Sequence, residues 1–220
     1  MSESNKVSTY FTRKALIFDS LYSQKEMSYF MRVINQRFRR DIYERYMLSL
    51  DYAQKQNTKT ILDIGCGSGR YALGLSEIGV EKILGIDFSP KMIELAREYT
   101  KNVKDSNEIF EFICTDFMEF HTEDTYDLII AMGFFDYIKD PVSVLRKMRI
   151  LSNNSVIASF PSISMYRTPL RKIRYHFKRC PVYFFNPEMI KQFALEAGFS
   201  HCDITKIKGA GMDYFVVFSK

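Results

Sequence analysis

In the stretch "ILDIGCGSGRYAL", an acid is followed by glycines at every second position: Asp63, Gly65, Gly67 and Gly69. Without side chains at those positions, backbone N–H groups stand open and a ligand can lie directly against the main chain. One glycine suffices for a tight turn; three alternating ones after an apolar run point to a nucleotide-like occupant. Two further acids follow apolar runs, Asp87 in "KILGID" and Asp116 in "CTDF". The dinucleotide fingerprint G-x-G-x-x-G requires its last glycine where Arg70 stands, so the match fails there. Asp87 does not separate the alternatives, because any adenosine cofactor in such a fold takes a carboxylate on its ribose hydroxyls.

The elements that must position these residues are legible from about Thr60 onward. Apolar runs at Thr60–Ile64, Lys82–Ile86, Phe110–Thr115, Tyr126–Ala131 and Ser155–Phe160 read as strands buried on both faces, and they alternate with helical patterns. That alternation predicts an α/β fold, a parallel sheet with helices on both faces. Helix starts are marked at Ser89-Pro90, Asp140-Pro141 and Asn186-Pro187, each a capping residue before a proline at the first helical position. Apolar positions then recur at helical spacing: Ile93, Ala96 and Tyr99; Val144, Leu145 and Met148; Ile190, Phe193, Ala194 and Ala197, with Gly198 as the stop. "HCDITKIK", a "GAG" turn and "MDYFVVFSK" predict a closing antiparallel hairpin. Between Val7 and Gln56, aromatic and aliphatic residues are mixed with charges in no strand-like alternation, which predicts two or more helices ahead of the sheet.

Taken in order, these segments resemble the class I S-adenosylmethionine-dependent methyltransferases, whose first motif runs acid-x-G-x-G-x-G as Asp63, Gly65, Gly67 and Gly69 do here, with Cys66 inside the turn. "GIDFSPKMIELAR" looks like the second motif; the resemblance implies Asp87 on the ribose and Phe88 beside the adenine. "CTDFMEF" looks like the third, with Asp116 receiving the adenine amine and Phe117 near the ring. "YDLIIAMGFFDYIKDP" looks like the fourth, with Ala131, Met132 and Gly133 passing the methionine end. The resemblance implies a Rossmann-like, seven-stranded, mostly parallel sheet with an antiparallel C-terminal hairpin. It also implies S-adenosylmethionine as cofactor and S-adenosylhomocysteine as product.

Methyl transfer from a sulfonium leaves the protein mainly alignment, desolvation and, for a hydroxyl or amine acceptor, proton removal. Asp136 and Tyr137 stand where the resembling family has substrate-facing residues, with Asp136 as base or orienting acceptor; His176 is a second candidate. "MGFF" replaces the (Asp/Asn)-Pro-Pro-aromatic grip of some base methyltransferases. Neither Gly133–Tyr137 nor Pro161–Ser164 carries the cysteine that cytosine C5 chemistry uses. Those two routes are disfavoured.

The formal charge of +5 is local. Six Lys or Arg and no acid lie in "YRTPLRKIRYHFKR", Tyr166–Arg179, so the rest of the chain is left at −1. The stretch "RTPLRKIRY…CPVYF" resembles relatives of the magnesium-protoporphyrin carboxyl methyltransferases, and Arg171, Arg174 and Arg179 are placed to clamp a carboxylate or phosphate. A solvated amphipathic helix accounts for the same charges. Near the N-terminus, Tyr10, Phe11, Phe18 and Tyr22 look like the family's aromatic lid, and they read equally as packing aromatics.

A length of 220 residues with 46% hydrophobic content predicts one domain, with residues 1–56 as helical lid and 57–220 as cofactor-binding core carrying a basic substrate-cover insertion at about 161–186. No apolar run reaches the roughly 18 residues of a spanning helix, and "MSESNKVSTYFTRK" lacks a signal-like core, which predicts a cytoplasmic protein. Four scattered cysteines and three isolated histidines predict reduced thiols and no metal. The expected function is methylation at oxygen or nitrogen of a small, anionic or carrier-bound molecule. The alternatives are an RNA methyltransferase guided by the basic stretch and a noncatalytic or NAD-binding Rossmann-like module.

Overall fold

The computed structural model describes residues 40–163, 181–207 and 213–220. Helix α1 (Arg40–Lys55) precedes β1 (Thr60–Ile64), α2 (Arg70–Ser76), β2 (Lys82–Asp87), α3 (Pro90–Thr100), a single turn α4 (Ser106–Ile109) and β3 (Phe110–Cys114). Strand β4 (Tyr126–Ala131), a 3-10 turn (Phe135–Tyr137), α5 (Pro141–Leu151) and β5 (Ser152–Phe160) follow. The last elements are α6 (Pro187–Ala197), β6 (His201–Lys206) and β7 (Tyr214–Ser219).

The strands form one seven-stranded sheet in the order β3-β2-β1-β4-β5-β7-β6. The first five are parallel, and β7 inserts antiparallel between β5 and β6. Side chains alternate between two cores. Leu62, Ile64, Leu84, Ile86, Ile129, Val156 and Phe160 face Val144, Leu145 and Met148 of α5 and Ile190 and Ala194 of α6. Ile61, Ile83, Leu128, Ile130 and Ile157 face Ala53 of α1, Tyr71, Ala72 and Leu75 of α2, and Ile93 and Ala96 of α3. This double burial explains why the central strands read as continuous apolar runs.

Two of the three expected caps form as side-chain hydrogen bonds: Asp140 Oδ1 accepts from Ser143 N at 3.2 Å, and Asn186 Oδ1 from Met189 N at 2.8 Å. Ser89 stands at the N-cap of α3 but makes no side-chain cap; its own amide donates to Asp87 Oδ1 at 2.8 Å. Gly198 ends α6 with φ +88°. Three strand bounds differ from the sequence reading. β2 includes Asp87, β3 ends at Cys114, and β5 begins at Ser152, where exposed Asn153 and Asn154 carry no hydrophobic signal although the backbone pairing starts there.

Of the helices expected ahead of the sheet, α1 is described. It is fixed to the core by Ala53 and by Tyr46, whose ring meets Tyr71 edge-on at 5.4 Å. Among the described residues no helix is long and apolar enough to cross a membrane.

Candidate functional site

Strand order reverses at β1, with β2 on one side and β4 on the other, and ligands of open α/β sheets bind in the crevice at the carboxyl ends of such strands. The glycine turn is built there. Gly65 and Cys66 donate their amides to Ile86 O at 2.8 and 3.0 Å, which ties the turn to β2, and Gly69 N closes it onto Cys66 O at 3.0 Å. Gly65, Gly67 and Gly69 have φ of +71°, +55° and +74°, a region side-chain-bearing residues avoid. The space around them differs. A Cβ on Gly69 would stand 3.0 Å from Ala96 Cβ and one on Gly65 3.1 Å from Phe134, whereas one on Gly67 would meet nothing within 4 Å. Gly67 is therefore the glycine that borders open space.

Asp87, 8% exposed, closes this end of the crevice. Its Oδ2 accepts from Gly67 N at 3.1 Å and its Oδ1 from Ser89 N. Burial pushes the carboxyl up to about 6, against the two amides, which favour the ionised form. Asp63 is more extreme. It is 2% exposed, its Oδ2 is buried without a hydrogen-bond partner, and burial, with the nearby Asp87 charge added, pushes it up to about 7. Cys66 is buried, with Sγ 3.8 Å from Gly67 O; burial, with the Asp63 and Asp87 charges added, raises its thiol well above the ordinary range.

Along the crevice, Phe88 is half-buried and follows Asp87 directly. Asp116 is half-buried at the end of β3, its Oδ1 accepting from Met118 N at 2.8 Å. Phe117 is 3% exposed within the α5–α6 core, and the Lys147 ammonium sits 4.8 Å from its ring centroid, bonded to the carbonyls of Phe117, Met118 and Phe120. That packing leaves Phe117 little surface for a ligand, so Phe88 is the aromatic better placed to meet one.

At the other end, Ala131 and Met132 are buried and Gly133 (φ +73°) turns the chain out of β4. Asp136 is 7% exposed on the 3-10 turn, and Tyr137 beside it is half-buried. The Asp136 carbonyl accepts from Tyr183 N at 2.9 Å. Phe185 N donates to Pro161 O at 2.9 Å, and Ile163 N to Phe185 O at 3.2 Å. The described residues on either side of the basic stretch are thus anchored at the carboxyl end of β5, beside Asp136. Tyr10, Phe11, Phe18, Tyr22, Arg171, Arg174, His176 and Arg179 lie outside the described residues.

One group escaped sequence reasoning. Arg45 of α1 reaches the end of β4, with Nη1 3.4 Å from Ser159 Oγ and 3.9 Å from Asp213 Oδ2. Its Nη2, Nη1 and Cζ lie 3.4, 3.5 and 3.7 Å from where a Gly133 Cβ would stand. No local pattern marks these residues; Arg45 and Ser159 are 114 positions apart.

A family described as a methyltransferase domain matches residues 55–183. A ubiquinone biosynthesis O-methyltransferase of Actinobacillus pleuropneumoniae serotype 5b is 26% identical over 124 residues, 53% of each chain. A malonyl-acyl-carrier-protein O-methyltransferase of Acetivibrio thermocellus is 34% identical over 114 residues, 51% of this chain and 38% of that one. The chain thus matches about half or less of the length of these relatives. Among solved structures, magnesium protoporphyrin IX methyltransferase from Synechocystis PCC 6803, with bound S-adenosylhomocysteine, superposes with a TM-score of 0.78 at 17% identity, covering 97% of this chain and 98% of that one. Since the family match spans more than half of the sequence, the chain belongs to the methyltransferase domain family, in its class I, S-adenosylmethionine-dependent form.

Proposed function

We propose that this chain methylates an oxygen of a small, anionic or carrier-bound acceptor with S-adenosylmethionine. The observation that carries the reading is the glycine turn, in which Gly67 borders open space while its amide is pinned to Asp87. The residues fit such a cofactor. Each Asp87 oxygen accepts one backbone amide and has a further lone pair for a ribose hydroxyl, and the partnerless Oδ2 of Asp63 lies at the same strand end.

When bound, S-adenosylmethionine supplies a methyl group already activated on a sulfonium. The chain's own tasks are then positional. Asp87 orients the ribose, Phe88 and Asp116 flank the base, and the Gly133 turn with Arg45 meets the amino-acid end, where a guanidinium matches a carboxylate. A carboxylate acceptor needs no base at neutral pH; for a hydroxyl, Asp136 is the group that takes the proton. The names of the O-methyltransferase relatives support oxygen over nitrogen.

The basic stretch is assigned to the acceptor. Its flanks are anchored beside Asp136 rather than beside the glycine turn, so Arg171 and Arg174 serve recognition of an anion. In Arg171→Gln with Arg174→Gln, S-adenosylhomocysteine affinity measured by calorimetry stays at the wild-type value, while turnover on carboxylate and carrier-bound acceptors falls about tenfold or more, as expected for lost charge-assisted hydrogen bonds. Equal loss of cofactor affinity moves the stretch to the cofactor side; loss of neither leaves it a solvated face.

A further inference from the structure

Resting on the cofactor reading above, we propose that Ser159 and Asp213 are positioning residues for the amino-acid end of the cofactor, acting through Arg45. Four separate parts of the chain meet at this point: α1 brings Arg45, the turn after β4 brings Gly133, β5 brings Ser159, and the residue before β7 is Asp213. Ser159 is 1% exposed, and its hydroxyl accepts from two donors, Gly133 N at 2.7 Å and Arg45 Nη1 at 3.4 Å. One oxygen therefore sets both the turn that leaves β4 and the guanidinium packed on that turn.

Asp213 acts from the other side. Its carboxylate is 3.9 Å from Nη1, and the side chains of the pair are only 12% and 9% exposed. Asp213 is itself fixed, because its carbonyl accepts from Ile207 N at 2.9 Å across the neck of the β6–β7 hairpin. Without an oriented partner, a long arginine side chain samples many rotamers, and immobilising it for each binding event costs affinity. Contact with Gly133 explains that glycine's second constraint. Besides its φ of +73°, a Cβ there would stand in contact with the guanidinium, leaving no room for a larger side chain without moving it.

The test separates the two ends of the cofactor with two probes. S-adenosylhomocysteine carries the amino-acid group, and 5′-methylthioadenosine keeps the adenosine and the thioether but lacks it. For Ser159→Ala and Asp213→Asn, titration calorimetry should show S-adenosylhomocysteine weakened about threefold to tenfold, the worth of one buried hydrogen bond. Methylthioadenosine should bind as it does to wild type. Adding Asp213→Asn to Arg45→Met should cost nothing further for S-adenosylhomocysteine, since the effect travels through Arg45. Melting of each ligand-free variant shows that it is folded, and Asp213→Glu, which keeps the charge, should recover part of the loss. Equal weakening of both probes would mean a merely structural role and overturns the proposal. Unchanged or tighter S-adenosylhomocysteine binding overturns it as well, tighter binding because Asp213 would then be competing with the ligand for Arg45. If wild type binds neither probe, the cofactor reading itself fails, an outcome distinct from either.

Discussion

The two ends of the crevice are built by opposite means. At the β1–β2 end, Asp63, the three glycines and Asp87 come from one continuous segment, and backbone amides do most of the fixing: Gly65 and Cys66 onto Ile86, Gly67 and Ser89 onto Asp87. At the β4–β5 end, Arg45, Gly133, Ser159 and Asp213 come from four distant parts of the chain, and side chains do the fixing. A backbone-built site tolerates few residues at its glycines but depends little on remote packing. A site assembled from side chains has slack at each position, so single changes there should cost less.

The largest effect is expected from Gly67→Val. A branched side chain at φ +55° is strained and projects into the open space here assigned to the ligand. S-adenosylhomocysteine binding should fall more than about a hundredfold, while the melting temperature drops only by the few degrees that about 1 to 2 kcal/mol of backbone strain implies. Binding within a few-fold of wild type would show that the ligand does not approach this turn.

At the other end, Gly133→Ala is the corresponding change. Its φ is also positive, but a Cβ there meets only the end of a flexible arginine at contact distance, 3.4 Å. A loss of about threefold to tenfold is expected, confined to S-adenosylhomocysteine and absent with methylthioadenosine. A loss as large as that of Gly67→Val would erase the contrast between the two ends.

The smallest effect concerns the ligand-free protein. Asp63 and Asp87 are raised to about 7 and about 6 in the folded chain, above the ordinary carboxylate value of 3.8. Between those values the folded state holds protons the unfolded state has released, so stability falls as pH rises from about 4 to about 7. In Asp63→Asn that fall should shrink, raising the melting temperature at pH 7.5 by about 3 to 6 °C relative to wild type and by less at pH 5. An equal shift at both pH values would remove the buried carboxylate as the cause.

The same contrast decides what could be read from the residues. The glycine turn, Asp87 and the proline-marked helix starts are local signals, and the folded chain keeps them in place; four of the five parallel strands were recovered to within a residue at each end. β5 extends three residues ahead of its apolar run because Ser152 pairs with Tyr126 through the backbone, while Asn153 and Asn154, exposed at the register shift, carry no hydrophobic signal. Phe117 carries a signal that is not local: its burial against α5 and α6 under Lys147 depends on tertiary packing that no short pattern shows. Arg45, Ser159 and Asp213 were illegible for the same reason. One arginine of a helix, a strand-end serine and a turn acid become a constellation only once β5 lies between β4 and β7.

The claim that the crevice holds S-adenosylmethionine by its ribose at Asp87 is tested most directly by titrating S-adenosylhomocysteine, and NAD in parallel, into wild type and Asp87→Ala. S-adenosylhomocysteine should bind wild type at a single site and weaken about tenfold or more in the variant, as expected for lost charge-assisted hydrogen bonds, with NAD giving no saturable heat in either. Unchanged S-adenosylhomocysteine affinity in Asp87→Ala, or saturable NAD binding that depends on Asp87, would contradict it.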